Sequence, residues 1–124
     1  MHISGNNFQD GKTHSDGSYY FSLYTHSWGW ATWQRAWQKY QPTTDNFSAS
    51  IADEKINSLP LSRQAKNFWA KNFKQTIKDN DSWDSLWLYT VWMNNGLSIV
   101  PNVNLVSNIG FGPDATHTLN HSKQ

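Results

Sequence analysis

The sequence contains no cysteine, which removes disulfide staples and thiolate metal sites and fits a reducing compartment. It has no run of about 18 consecutive apolar residues and no basic-then-apolar leader, so the reading is a cytoplasmic chain without a transmembrane segment. Charge of one sign is also scarce. Ten Lys and Arg against nine Asp and Glu leave a formal net charge of +1, without the clustered basic stripe that would argue for nucleic acid. Internal repeats, heptads, a phosphate-cradling glycine loop and a Gly-x-Ser-x-Gly elbow are all missing, so nothing points to a solenoid, a P-loop NTPase or an α/β-hydrolase. The 124 residues are enough for one domain, which at this size buries roughly two-thirds of the surface its unfolded chain exposes.

What the chain has in plenty is indole. Eight tryptophans lie among 15% aromatic residues, and four of them fall in the stretch HSWGWATWQRAW, residues 26–37. Trp33, Ala36, Trp37 and Tyr40 recur at helical spacing, with Gln34, Arg35, Gln38 and Lys39 between them, so the spacing predicts a helix whose apolar stripe is core. Trp28-Gly29-Trp30 precedes that helix. Two indoles flanking a glycine on a loop suit either packing or stacking on a sugar or planar ring, and the residues leave both readings open.

The remaining elements follow from spacing and punctuation. Residues 2–4 read as the end of a strand before the Gly5-Asn6-Asn7 turn, either an edge strand or part of a chain cut from something larger. Residues 10–18 read as a loop, YYFSLY as a short extended segment, and residues 41–62 as a surface connector with one short helix around Phe47 to Ile56. Ser62 suits an N-cap for a second amphipathic helix carrying Ala65, Phe68, Trp69, Phe73 and Ile77 to Asp79. The third helix, SWDSLWLYTVWMNNG, opens at Ser82 and stops at Gly96, with Trp83, Leu86, Trp87 and Thr90 on one face. Asp84 lies in its first turn, where the helix dipole favours a carboxylate. LSIVPNVNLVSNIGFG reads as one or two short strands with turns. The Asp79-Asn80-Asp81 run suits a solvated turn as well as an Asp-x-Asp metal signature, and Asp114 with His117 suits a loop turn as well as a ligand pair.

Taken in order, ISGNNF, YYFSLYTHSWGWATWQRAWQKY, WDSLWLYTVWMNNGLSIVPNVNLVSNIGFG and DATHT resemble the C-terminal half of a bacterial family 2-like glycosyltransferase, a group sometimes labelled hemolytic-protein-like. The resemblance runs from about Ile3 to Thr118. It implies a partial GT-A-type, nucleotide-diphospho-sugar transferase fold: an α/β acceptor-side half over residues 1–118, with about three helices and a few short strands, a polar tail at 119–124, and the donor-binding half absent. In such relatives the metal-binding Asp-x-Asp precedes a strand similar to HISGNNF, so residues 79–81 stand in the wrong place for that role.

The implied chemistry transfers a sugar from a sugar nucleotide to a glycan acceptor, with a divalent Mn or Mg ion expected of the full-length family and not fully liganded here. An isolated half would have little activity. By resemblance Asp84 is the general base, Trp28, Gly29, Trp30, Trp83 and Trp87 line the sugar pocket, and His117 reaches the metal or the diphosphate. Ser85 and Leu86 depart from the aromatic and polar residues that relatives tend to carry there, which leaves the acceptor contacts of that turn open. Two other readings compete: a non-catalytic carbohydrate-binding module using exposed tryptophans, and a remnant whose exposed apolar face drives association.

Overall fold

The computed structural model describes residues 1–9, 11–12, 16–40, 49–79, 82–107 and 109, the side chains of 49–51 excepted. The order is β1 (His2–Ile3), β2 (Tyr19–Ser22), β3 (Ala31–Thr32), α1 (Gln34–Trp37), α2 (Ala49–Ser58), α3 (Arg63–Asp79), α4 (Trp83–Met93) and β4 (Ser98–Pro101). The architecture is mixed α/β, with four helices and one small mixed sheet among the described residues.

The sheet order is β2-β4-β1-β3. β1 runs parallel to β4, with His2 opposite Ser98, and antiparallel to β3, with His2 opposite Thr32. The edge reading of residues 2–4 is therefore corrected, since β1 is an interior strand. Its end is tied down as well: the Met1 ammonium donates to the Leu97 carbonyl at 2.6 Å, and Thr32 Oγ1 donates to the Met1 carbonyl at 2.6 Å. Period-two alternation divides the sheet into two faces. His2, Ser98 and Val100 point inward and are buried, whereas Ile3, Tyr19 and Phe21 point outward and stay exposed.

α4 is the centre of the molecule. Leu86, Trp87, Leu88, Thr90, Val91 and Trp92 are all buried, so its apolar surface wraps most of the way round the helix. The single face expected of Trp83, Leu86, Trp87 and Thr90 is too narrow. Trp83 itself ends the buried surface, at 45% exposed. At the C-terminus the left-handed residue is Asn95, φ 53°, and Gly96 follows it. Gly96 N donates to the Val91 carbonyl at 2.8 Å and Asn95 N to that of Trp92 at 3.1 Å, the paired bonds of a Schellman motif. At Gly96 a side chain would have to displace the flexible Met1 side chain. A Cβ there would lie 2.7 Å from Met1 Sδ.

α3 begins as its sequence suggests, with Ser62 Oγ accepting from Ala65 N at 3.2 Å. Phe73 and Thr76 are buried, while Phe68 lies off the packed face at 60% exposed. α2 extends two residues beyond the short helix expected there. α1, in contrast, is a single turn. Lys39 N to Ala36 O and Tyr40 N to Trp37 O are i to i−3 bonds, so the chain tightens after Trp37 in place of a further α turn. Tyr40 still returns to the same face, its ring stacked 4.7 Å from that of Trp37.

Candidate functional site

The indoles of the 26–37 stretch go to two places. Trp28 meets the edge of Phe8 at 5.3 Å, and with Gly29, Val106 and Ser107 it borders a shallow open groove. Gly29 has φ +57°, and a Cβ there would clash with Val106 Cγ1, so a side chain at this position is disfavoured both by the backbone and by its neighbour. Trp30 turns the other way. It stacks between His2, at 5.2 Å and 14°, and Trp83, at 5.4 Å and 27°, with Trp37 and Trp87 each 5.9 Å away. For Trp30 the open choice between packing and binding resolves toward packing, because its ring supports other rings.

Behind Trp30 the cluster is locked by hydrogen bonds. Trp87 Nε1, which can only donate, meets His2 Nδ1 at 3.0 Å, so Nδ1 carries no proton. His2 is then the neutral Nε2–H tautomer, and that nitrogen lies 3.0 Å from both the His26 carbonyl and Ser4 Oγ. Burial holds the His2 pKa down at about 4, and burial also lowers that of His26. His2 is thus a fixed polar strut under the tryptophans. Sequence reading missed it; its position opposite Ser98 on an inward strand face depends on pairings between distant segments.

In front of Trp30 the cluster opens. Trp37 is 42% exposed and Trp83 45% exposed, so half of each ring faces solvent where a wholly buried stripe was expected for Trp37. Trp87, only 1% exposed, packs against Trp37 at 5.3 Å and against Trp30 at 5.9 Å. Asp84 is exposed at the start of α4, beside Trp83. Its Oδ1 accepts from Ser82 Oγ at 2.5 Å and from Ser85 N at 2.9 Å. The Ser82 hydroxyl is consequently engaged by the carboxylate, and Ser82 supplies no side-chain cap to the helix. Burial raises the Tyr40 pKa, and the Asp84 charge adds to the rise, which places carboxylate and phenol in one electrostatic neighbourhood.

The structure therefore gathers Trp30, Trp83, Trp87 and Asp84 around one half-open aromatic surface, adds Trp37 and Tyr40, and leaves Trp28 and Gly29 at a separate groove. Aromatic faces of this kind accept the C–H side of a sugar ring, and an adjacent carboxylate can orient or deprotonate a hydroxyl. Asp114 and His117 lie outside the described residues, as does Asp81. Among the described residues there is no group of three or more His, Asp or Glu side chains that could hold a metal ion. No helix among them is long and apolar enough to cross a membrane. Comparison with known protein families, with curated proteins and with solved structures finds no match.

Proposed function

We propose that the chain is the acceptor-side portion of a glycosyltransferase, and that the face formed by Trp37, Trp83 and Asp84 receives the acceptor sugar. The observation that carries this reading is the pairing of two half-exposed indoles with an exposed carboxylate at the start of α4. The ordered sequence blocks that resemble family 2-like transferases supply the reaction class. In that reaction the acceptor hydroxyl oxygen bonds to the anomeric carbon as the bond to the nucleoside diphosphate breaks. Asp84 takes the hydroxyl proton. Trp83 holds the ring so that the hydroxyl faces the carboxylate, and Trp30, itself packed on Trp87, keeps Trp83 in place. Residues of the donor half would supply the diphosphate contacts.

One observation favours a second reading, a carbohydrate-binding module without catalysis. Asp84 is already engaged by Ser82 and by the Ser85 amide, as a purely structural carboxylate would be.

The test is titration of the chain with a panel of simple glycans, followed by the tryptophan indole resonances. Binding that weakens at least about tenfold, or roughly 1.4 kcal/mol, in Trp83→Ala is the expected result. An unchanged spectrum with every glycan overturns the sugar-binding face. Supplying a sugar nucleotide together with the donor half of a related transferase separates the two readings: Asp84→Asn abolishes transfer while leaving glycan affinity intact if Asp84 is the base. If wild type transfers no sugar in that mixture yet binds glycan, the module reading stands.

A further inference from the structure

The net charge of +1 conceals an uneven distribution. Five of the ten Lys and Arg residues lie in α3, where Asp79 is the only acid. The 3.6-residue period sorts them. Lys66 is drawn toward α2, donating to the Asn57 carbonyl at 2.7 Å, whereas Arg63, Lys71, Lys74 and Lys78 emerge on the face opposite the buried Phe73 and Thr76. From Arg63 to Lys78 that row is about 22 Å long. Lys74 is paired with Asp53 at 2.8 Å, and Gln75 holds Asp79 at 2.5 Å. Among the described residues Arg63, Lys71 and Lys78 have no ion-pair partner.

From this we infer that the outward face of α3 docks the chain onto an anionic lipid surface. Charge complementarity sets the sign of the partner, and shape sets its form. The shallow hollow between Lys71, Lys74 and Lys78 is walled by α3 residues alone, so the row is a ridge on a helix and no second element closes it into a channel. A ridge meets a plane along its whole length. Three of the four cations are lysines, which act as point charges on flexible stems and need no defined acceptor geometry. Phe68, 60% exposed on the flank of the same face, supplies an apolar group at headgroup depth. A single-stranded nucleic acid would instead want aromatic platforms among the cations, and no aromatic residue stands between Arg63 and Lys78 on the cationic row itself.

Co-sedimentation of the full chain with phosphatidylcholine vesicles, with and without phosphatidylglycerol, tests this over a series of salt concentrations. Binding is expected only to the phosphatidylglycerol vesicles and is expected to fall with salt. Each cation near such a surface is worth about fivefold in partitioning, so Lys71→Gln with Lys78→Gln lowers binding about 25-fold. Both residues are exposed, so the unfolding midpoint stays unchanged in that variant. Absent binding at low salt overturns the inference, as does equal binding by the double variant. Tight capture of soluble polyphosphate without vesicle binding overturns it in favour of a polyanion partner.

Discussion

Trp92 and Trp83 belong to the same helix, yet the two ends of α4 use indole for different purposes. Trp92 is 1% exposed, donates Nε1–H to the Leu23 carbonyl at 2.7 Å, and packs among Tyr24, Trp69 and Phe73. Trp83 has one face on Trp30 and the other half of its surface in water. The difference teaches that tryptophan content by itself says little about binding. What matters is whether a ring has its polar handle satisfied and both faces covered, or is left with one face for something else.

The sharpest way to break this contrast is to truncate the buried end. Trp92→Ala removes a fully enclosed ring and leaves the Leu23 carbonyl without its donor, and it is expected to destabilise the chain by about 3–5 kcal/mol in urea unfolding. A loss below about 1 kcal/mol would place Trp92 with Trp83 and erase the distinction.

Acid probes the junction between the two ends, where His2 holds Trp87. The folded-state pKa of His2, about 4, lies below the ordinary value of 6.5. Stability is therefore complete above pH 6.5 and is lost progressively as the pH falls toward 4, because the unfolded chain takes up the proton first. The loss over that window is about 3 kcal/mol. Because burial is the main cause, the loss should largely persist in Trp87→Phe, which keeps an apolar ring beside His2. A pH dependence that vanished in that variant would show that the Trp87 indole donor, and not burial, holds His2 neutral.

Trp83→Ala has the smallest expected effect on folding, within about 1 kcal/mol, since much of the ring already faces water. Calorimetry of wild type and variant checks it. A loss comparable to that of Trp92→Ala would mean that Trp83 is core and has no face to spare.

Much of the helical layer was legible in the sequence because α3 carries a long apolar periodicity and a serine whose hydroxyl caps it, and α4 is a dense apolar run between polar ends. The exact use of those signals was less so. Ser82 looks like the same cap but gives its hydroxyl to Asp84, and the glycine that seemed to end α4 yields the left-handed position to Asn95. Local pattern identifies candidates for these roles, whereas the outcome depends on which neighbour arrives. α1 shows the same limit, since a helical stripe of four residues cannot tell an α turn from a tighter one. Of the site, Asp84, Trp83 and Trp87 were found from their place on a helix. The separation of Trp28 from Trp30 and the strut formed by His2 depend on contacts between segments far apart in the chain, which no periodicity encodes.

The stacking of Trp30 between His2 and Trp83 has an optical consequence. Indoles this close exchange excitation and couple their electronic transitions, so their circular dichroism and emission belong to the cluster and not to single rings. Imidazolium quenches indole fluorescence by contact, and neutral imidazole does so far less. The protein thus contains its own reporter: light emitted by the cluster follows the protonation of His2 and the spacing of the rings.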